Sequence, residues 1–125
     1  MVERNPARLQ GLIERRLRGT SPGGDPLRAW VAGLSPEETV ALRGHLPSHL
    51  ARAAVMVPLV ERPGGLTVLL TQRATHLKNH PGQISFPGGR IEPEDAGPWE
   101  AAVREAREEI GLAPEFVTPV GWLHD

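Results

Sequence analysis

Between Pro98 and Gly111 a single segment must meet two demands that pull against each other. Trp99, Ala102, Val103, Ala106 and Ile110 recur at helical spacing as an apolar stripe for packing, and Gly111 supplies a C-terminal stop, so the spacing predicts a helix over 98–110. With Glu105 at 0° and about 100° per residue, Glu109 falls at about 40° and Glu108 at about 300°, so three carboxylates share one arc beside that stripe. Like charges at these spacings cost about 0.2–0.5 kcal/mol a pair, and acids in the last turn oppose the helix dipole by about 0.3–1 kcal/mol each. Taken alone, such a face is either a solvated surface, partly balanced by the Glu100/Arg104 pair, or an oxygen-donor site for a hard divalent cation. Mg²⁺ typically takes one or two carboxylates and leaves positions for water and phosphate, which suits phosphate-ester chemistry. The chain has no cysteine and its histidines lie outside this helix, so zinc is the weaker proposal.

Upstream, the hydrophobic period changes twice. Leu9, Leu12, Ile13 and Leu17 predict an amphipathic helix over 7–18, closed by the turn-rich run from Gly19 to Pro26. Leu27, Trp30, Val31 and Leu34 suggest a short helix, and Ser35-Pro36-Glu37-Glu38 combines an N-cap, a proline at the first helical position and a glutamate three residues after the cap. From Ala53 to Leu59 the alternation predicts a core strand buried on both faces. Glu61 to Gly65 reads as a turn, Leu66 to Thr71 as the returning arm of a hairpin, Gln72 to Pro81 as a basic loop and Gln83 to Phe86 as a short strand. Gly88-Gly89 admits a plain strand-to-loop turn, but close backbone approach to a metal or phosphate is the better reading, and Phe116 to Leu123 reads as the start of another strand. Trp30, Trp99 and Trp122 are scattered, which suits core packing. His76 and His80 have ligand spacing only on a helix, and Pro81-Gly82 argues for a loop.

Charge is distributed unevenly. Residues 1–50 carry a net +2, residues 51–90 a net +4 and residues 91–125 a net −7, which sum to the formal −1 of the chain. A basic segment followed by an acidic one can hold an anion beside a cation. Near-neutral overall charge argues against a nucleic-acid binder working by bulk electrostatics. The longest apolar uncharged stretch, Ala53 to Val60, is far below the run of about 20 that spans a bilayer, and Met1 to Pro6 lacks the apolar core of a secretory signal. The expectation is a cytoplasmic protein with no membrane and no nucleic-acid partner.

The segment Arg104-Glu105-Ala106-Arg107-Glu108-Glu109-Ile110-Gly111-Leu112, preceded by Gly89 and Asp95, resembles the Nudix box: a glycine, a spaced acid, then Arg-Glu-apolar-any-Glu-Glu-any-Gly-apolar. Asp95 stands where the family usually has glutamate, and Arg104 lies one residue further from the glycine than in the commonest spacing. Both departures are shared by one subgroup, the coenzyme A diphosphatases. That subgroup's second signature is matched by Leu69-Leu70-Thr71-Gln72-Arg73-Ala74, then Lys78 (usually arginine), Gly82, Ile84 (usually valine) and Phe86-Pro87-Gly88-Gly89.

The resemblance implies an α/β (α+β) fold, a Nudix-like mixed sheet flanked by helices, with residues 1–50 as a helical N-terminal extension outside the resemblance and residues 51–125 as the N-terminal part of a Nudix hydrolase domain. Because the family domain continues past the strand expected near Phe116, the fold is expected to be truncated at its C-terminal side, to be completed by residues 1–50, a partner chain such as a second copy in a homodimer, or further sequence. Glu105 and Glu109 are implied as principal Mg²⁺ or Mn²⁺ ligands, with Glu108 an additional ligand. Glu105, Arg104 and Glu108 form the implied catalytic group, with Arg104 orienting a glutamate. Glu105 is a candidate general base, although the family sometimes draws its base from a later loop. Arg73 and Lys78 are implied in recognition of the substrate phosphates, with Gly88 and Gly89 giving close backbone approach. The implied reaction is hydrolysis of the diphosphate of coenzyme A or its thioesters to 3′,5′-ADP and 4′-phosphopantetheine or its acylated form. Alternatives are another nucleoside diphosphate derivative as substrate (ADP-ribose, NADH or a dinucleoside polyphosphate) or an inert binding or oligomerisation module.

Overall fold

The computed structural model describes residues 5–23, 28–47 and 49–123, without the side chains of Ala29 and Trp30. The elements run α1 (Pro6–Leu17), α2 (Arg28–Val31), α3 (Pro36–His45), β1 (Ala53–Val55), β2 (Leu59–Arg62), β3 (Gly65–Val68), β4 (Thr71–Gln72), β5 (Ile84–Ser85), β6 (Gly88–Arg90), α4 (Pro98–Ile110) and a 3₁₀ turn (Pro114–Phe116). This is an α/β fold whose described strands form three antiparallel pairs, β1 with β6, β2 with β3 and β4 with β5. The parts expected of Leu27 and of Trp30 in packing lie outside the described residues.

Local chemistry accounts for the helix ends. The Asn5 side chain accepts from Ala7 N at 3.1 Å and caps α1. At α3 the capping box closes in both directions, Glu38 N to Ser35 Oγ at 3.2 Å and Ser35 N to Glu38 Oε2 at 2.8 Å. Gly111 ends α4 in the left-handed region at φ 68°, its N–H donating to Arg107 O.

The core lies where α4 crosses β1 and β6. It is built from Ala54, Met56, Ala101, Ala102 and Ala106, with Ile91, Trp99, Val103, Leu112 and Val117 packed around it. Three alanines on the buried face of α4 let the helix approach the strand backbones closely, which sets the geometry of the site. Ile110, expected on this face, is 37% exposed, because the helix runs past the end of the short strands.

Three other expectations are corrected. The segment 53–59 is not buried on both faces: Ala54 and Met56 are buried, but Val55 is 61% exposed and Val57 and Leu59 are also open. Its pairing changes partner at Met56–Pro58, where Met56 N donates to Pro87 O and Pro58 O accepts from Leu69 N, so α4 covers only the β1 half. Gly88-Gly89 is not a turn but the first two-thirds of β6, in register with Val55 and Ala54. Residues 117–123 form no strand; the chain leaves the 3₁₀ turn with Phe116 80% exposed, and Pro114 and Pro119 offer no N–H to a ladder. That segment instead meets the end of α1, where Trp122 N donates to Thr20 Oγ1 at 2.8 Å. Trp99 packs against the core as expected.

Candidate active site

The site is a strand, loop and helix unit: β6, residues 91–97, and α4. The loop is fixed at both ends. Ile91 N donates to Arg52 O at 2.9 Å, and Asp95 folds the loop on itself, its N–H donating to Glu92 O at 3.0 Å while its Oδ2 accepts from Glu92 N at 2.8 Å. Arg104, on α4, then binds Asp95 in a bidentate pair through one edge of its fork, Nε to Oδ1 and Nη2 to Oδ2, each at 2.9 Å. Nη2 also donates to Arg90 O at 3.0 Å, and Nη1 to Glu105 Oε1 at 3.0 Å and Glu108 Oε1 at 3.5 Å. One guanidinium therefore joins the strand end, the loop and two carboxylates.

The electrostatics follow from this geometry. Asp95, its side chain only 6% exposed, is held below the usual carboxylate range, first by the Arg104 hydrogen bond and then by the Glu92 N–H. Arg104 is held above its already high ordinary value, chiefly by Asp95. Both stay charged across the physiological range.

Glycine is needed twice in β6, for different reasons. A Cβ on Gly88 would strike the Ala54 carbonyl oxygen and sit 2.8 Å from Val55 Cα, so no side chain fits against β1. A Cβ on Gly89 would lie 2.5 Å from the Glu105 carboxyl carbon. Glu105 thus lies over the strand backbone, while Glu108, 59% exposed, points further into solvent than Glu105 at 18%.

Glu109 lies one helical turn beyond Glu105 at the end of α4. Its carboxyl is pushed above the usual range, first by desolvation and then by the charge of Glu105.

Arg73 and Lys78 sit on the exposed loop 73–83 between β4 and β5, which contains no helix, so His76 and His80 lack ligand geometry. Arg73 spends Nε on Asn79 O at 2.7 Å. The structure thus gathers Glu105, Glu108, Arg104 and Asp95 into one bonded group, sets Gly89 under the Glu105 carboxyl with Gly88 against β1, keeps Glu109 on the same end of α4, and leaves Arg73 and Lys78 on the loop. The carbonyls of Arg90 and Asn79 carry much of this order, and no residue type announces a backbone acceptor.

The donors test well against a hard divalent cation in kind. They are carboxylate oxygens beside a bare glycine backbone, and Glu109 is raised first by desolvation and then by the charge of Glu105, a like-charge contribution that a cation would offset. They are not drawn together: among the described residues no three His, Cys, Asp or Glu side chains converge at metal-binding separation.

A carboxylate-bearing helix locked by glycines to a short strand is the working unit of a class of phosphoanhydride hydrolase domains. The chain belongs to the NUDIX family, whose NUDIX domain model matches residues 50–125. It is similar to an uncharacterized Nudix hydrolase NudL of Enterobacter sp. (strain 638), 50% identical over 74 residues, which are 58% of this chain and 37% of that protein. A probable nudix hydrolase of Schizosaccharomyces pombe is 52% identical over 66 residues, 53% of this chain and 23% of the relative. A NudL of Salmonella dublin is 48% identical over 80 residues, 63% of this chain and 41% of the relative. The chain thus spans less than half the length of these curated relatives. Nudix hydrolases use divalent metal ions and act on small molecules. Among the described residues no helix is long and apolar enough to cross a membrane.

Proposed function

We propose that this chain carries the cation-binding part of a Nudix hydrolase that splits the diphosphate of coenzyme A or its thioesters, releasing 3′,5′-ADP and 4′-phosphopantetheine or its acylated form. The observation that carries this reading is the meeting of two separate motifs in space: Gly88 and Gly89, which close the upstream signature, form β6, and a Cβ on Gly89 would lie 2.5 Å from the carboxyl carbon of Glu105 in the Nudix box.

Glu105 and Glu109 would hold Mg²⁺ or Mn²⁺, with Glu108 as a further ligand. Such an ion, when bound, neutralises charge developing on phosphoryl oxygens and lowers the pKa of a bound water. Arg104 orients Glu105, since its Nη1 bond fixes one carboxylate oxygen and leaves the other for the ligand side. Asp95 keeps Arg104 in place from the opposite edge. Gly88 lets β6 lie directly against β1, and Gly89 leaves the space in which the Glu105 carboxyl rests over the strand, so the bare backbone sets where that carboxylate meets a ligand. The basic loop with Arg73 and Lys78 supplies positive charge for the substrate phosphates. Phosphoryl transfer of this kind needs positioning and charge stabilisation rather than a covalent nucleophile, which matches a site without cysteine or an activated serine.

Chromatography of the products formed from coenzyme A with the purified protein and Mg²⁺ tests the proposal. 3′,5′-ADP with 4′-phosphopantetheine is the expected pair. Clear preference for ADP-ribose, NADH or a dinucleoside polyphosphate would move the chain to another branch of the family.

A further inference from the structure

We infer that Arg73 is a positioning residue, whose main chain and guanidinium Nε–H together close the loop 73–83 and fix the path on which its cations are presented. The inference rests on the proposed diphosphatase reading for its catalytic consequence, and on hydrogen bonding alone for its structural part.

The loop is long and exposed, and its order comes from a few bonds. Arg73 N donates to Gln83 O at 2.8 Å and Arg73 O accepts from Gly82 N at 3.0 Å, which extends the β4–β5 ladder by one step. Beyond that step the only internal turns are Leu77 N to Ala74 O and Gln83 N to His80 O, both at 3.3 Å. The sharp corner lies at His80, with φ 49°, followed two residues later by Gly82 at φ 69°. A non-glycine residue in the left-handed region persists when its surroundings over-determine it. The atom that Arg73 Nε holds, at 2.7 Å, is the carbonyl oxygen of Asn79, immediately before that corner. Arg73 thus pins the far side of the loop to its base.

Planar guanidinium can place one N–H on the loop and turn the rest of its fork elsewhere, which a single ammonium cannot do. A substrate phosphate therefore meets an Arg73 already committed through Nε, and the loop it holds presents Lys78.

Amide hydrogen exchange by NMR on the full chain tests this, comparing wild type with Arg73→Ala, Arg73→Lys and Gly82→Ala. Both Arg73 variants should lose about five- to tenfold protection at the Gly82 and Gln83 amides, the loss expected for one hydrogen bond, while α4 amides stay unchanged. Gly82→Ala, which keeps the cation but strains the corner, should reproduce that loss. In the diphosphatase assay, kcat/KM should fall by the same factor for coenzyme A and 3′-dephospho-coenzyme A in all three variants. Wild-type protection in Arg73→Ala or Arg73→Lys would overturn the inference, as would a loss confined to the substrate that carries the 3′-phosphate. Absence of turnover on both substrates in the wild type would defeat the diphosphatase reading, and the exchange data would still decide the role of Arg73.

Discussion

The seam where α4 lies on β1 and β6 and the exposed pair β4–β5 hold their groups by opposite means. In the seam, position is set by exclusion: buried alanines bring the helix close, bare glycines leave room for a carboxylate, and Arg104 joins strand, loop and helix. In the β4–β5 unit there is almost no buried surface, Ile84 being 63% exposed, and position is set by a handful of hydrogen bonds. Packing is cooperative and rigid, whereas exposed hydrogen bonds compete with water and open locally. The difference teaches that the carboxylates of α4 are fixed in advance and the cations of the loop 73–83 are adjustable.

The largest effect should come from the rigid side. Glu105→Gln or Glu109→Gln should lower turnover by about 10²–10³ with the fold retained, comparable with loss of a key electrostatic stabiliser. Steady-state kinetics at saturating Mg²⁺, with circular dichroism as the control, checks this; wild-type turnover would remove these residues from the metal site. Next, Asp95→Asn removes the charge that holds Arg104, and should cost about 10–100-fold in activity, as loss of supporting groups around metal ligands does.

Asp95 also predicts a pH signature. Its unfolded-state value is near 3.8 and its folded value lies lower, so its stabilisation is fully present above that pH and is lost as pH falls through the folded value. Acid titration of the melting temperature should show this loss in wild type below about pH 4 and a shallower slope in Asp95→Asn.

Gly88→Ala would drive a methyl group into the backbone of β1, and should destabilise by about 1–3 kcal/mol, read as a lower denaturant midpoint. The smallest effect belongs to the soft side. Thr71→Val deletes the exposed hydroxyl bond to Ser85 O, and should cost no more than about 0.5–1.5 kcal/mol, seen as faster exchange within 71–85 and none in α4. If Thr71→Val moved the midpoint as far as Gly88→Ala, the distinction between the two regions would fail.

Much of this architecture was legible because it is local. The box at Ser35 and Glu38, the stop at Gly111, the hairpin around Pro63-Gly64 and the loop ahead of β5 all depend on neighbours within four residues or on a turn of fixed chemistry. The carboxylate arc was legible for the same reason, since helical spacing alone puts Glu105, Glu108 and Glu109 on one face. Val55, Ile110 and Phe116 were misjudged because hydrophobicity states what a residue prefers, not whether a neighbour exists to cover it. Gly88-Gly89 leaves a turn and close approach both open to a reader of the sequence; the extended strand excludes the turn, and the neighbours that come close are β1 at Gly88 and Glu105 at Gly89.

The sequence by itself determined the helices, their ends, the acidic face and the family. Tertiary structure alone decided that Gly89 lies under the Glu105 carboxyl, that Arg104 spans from Arg90 O to Glu108, and that Arg73 closes its own loop through Asn79. Those relations join residues distant in the chain or use backbone carbonyls common to every residue, so only the packing of α4 on its strands and the path of the loop could fix them.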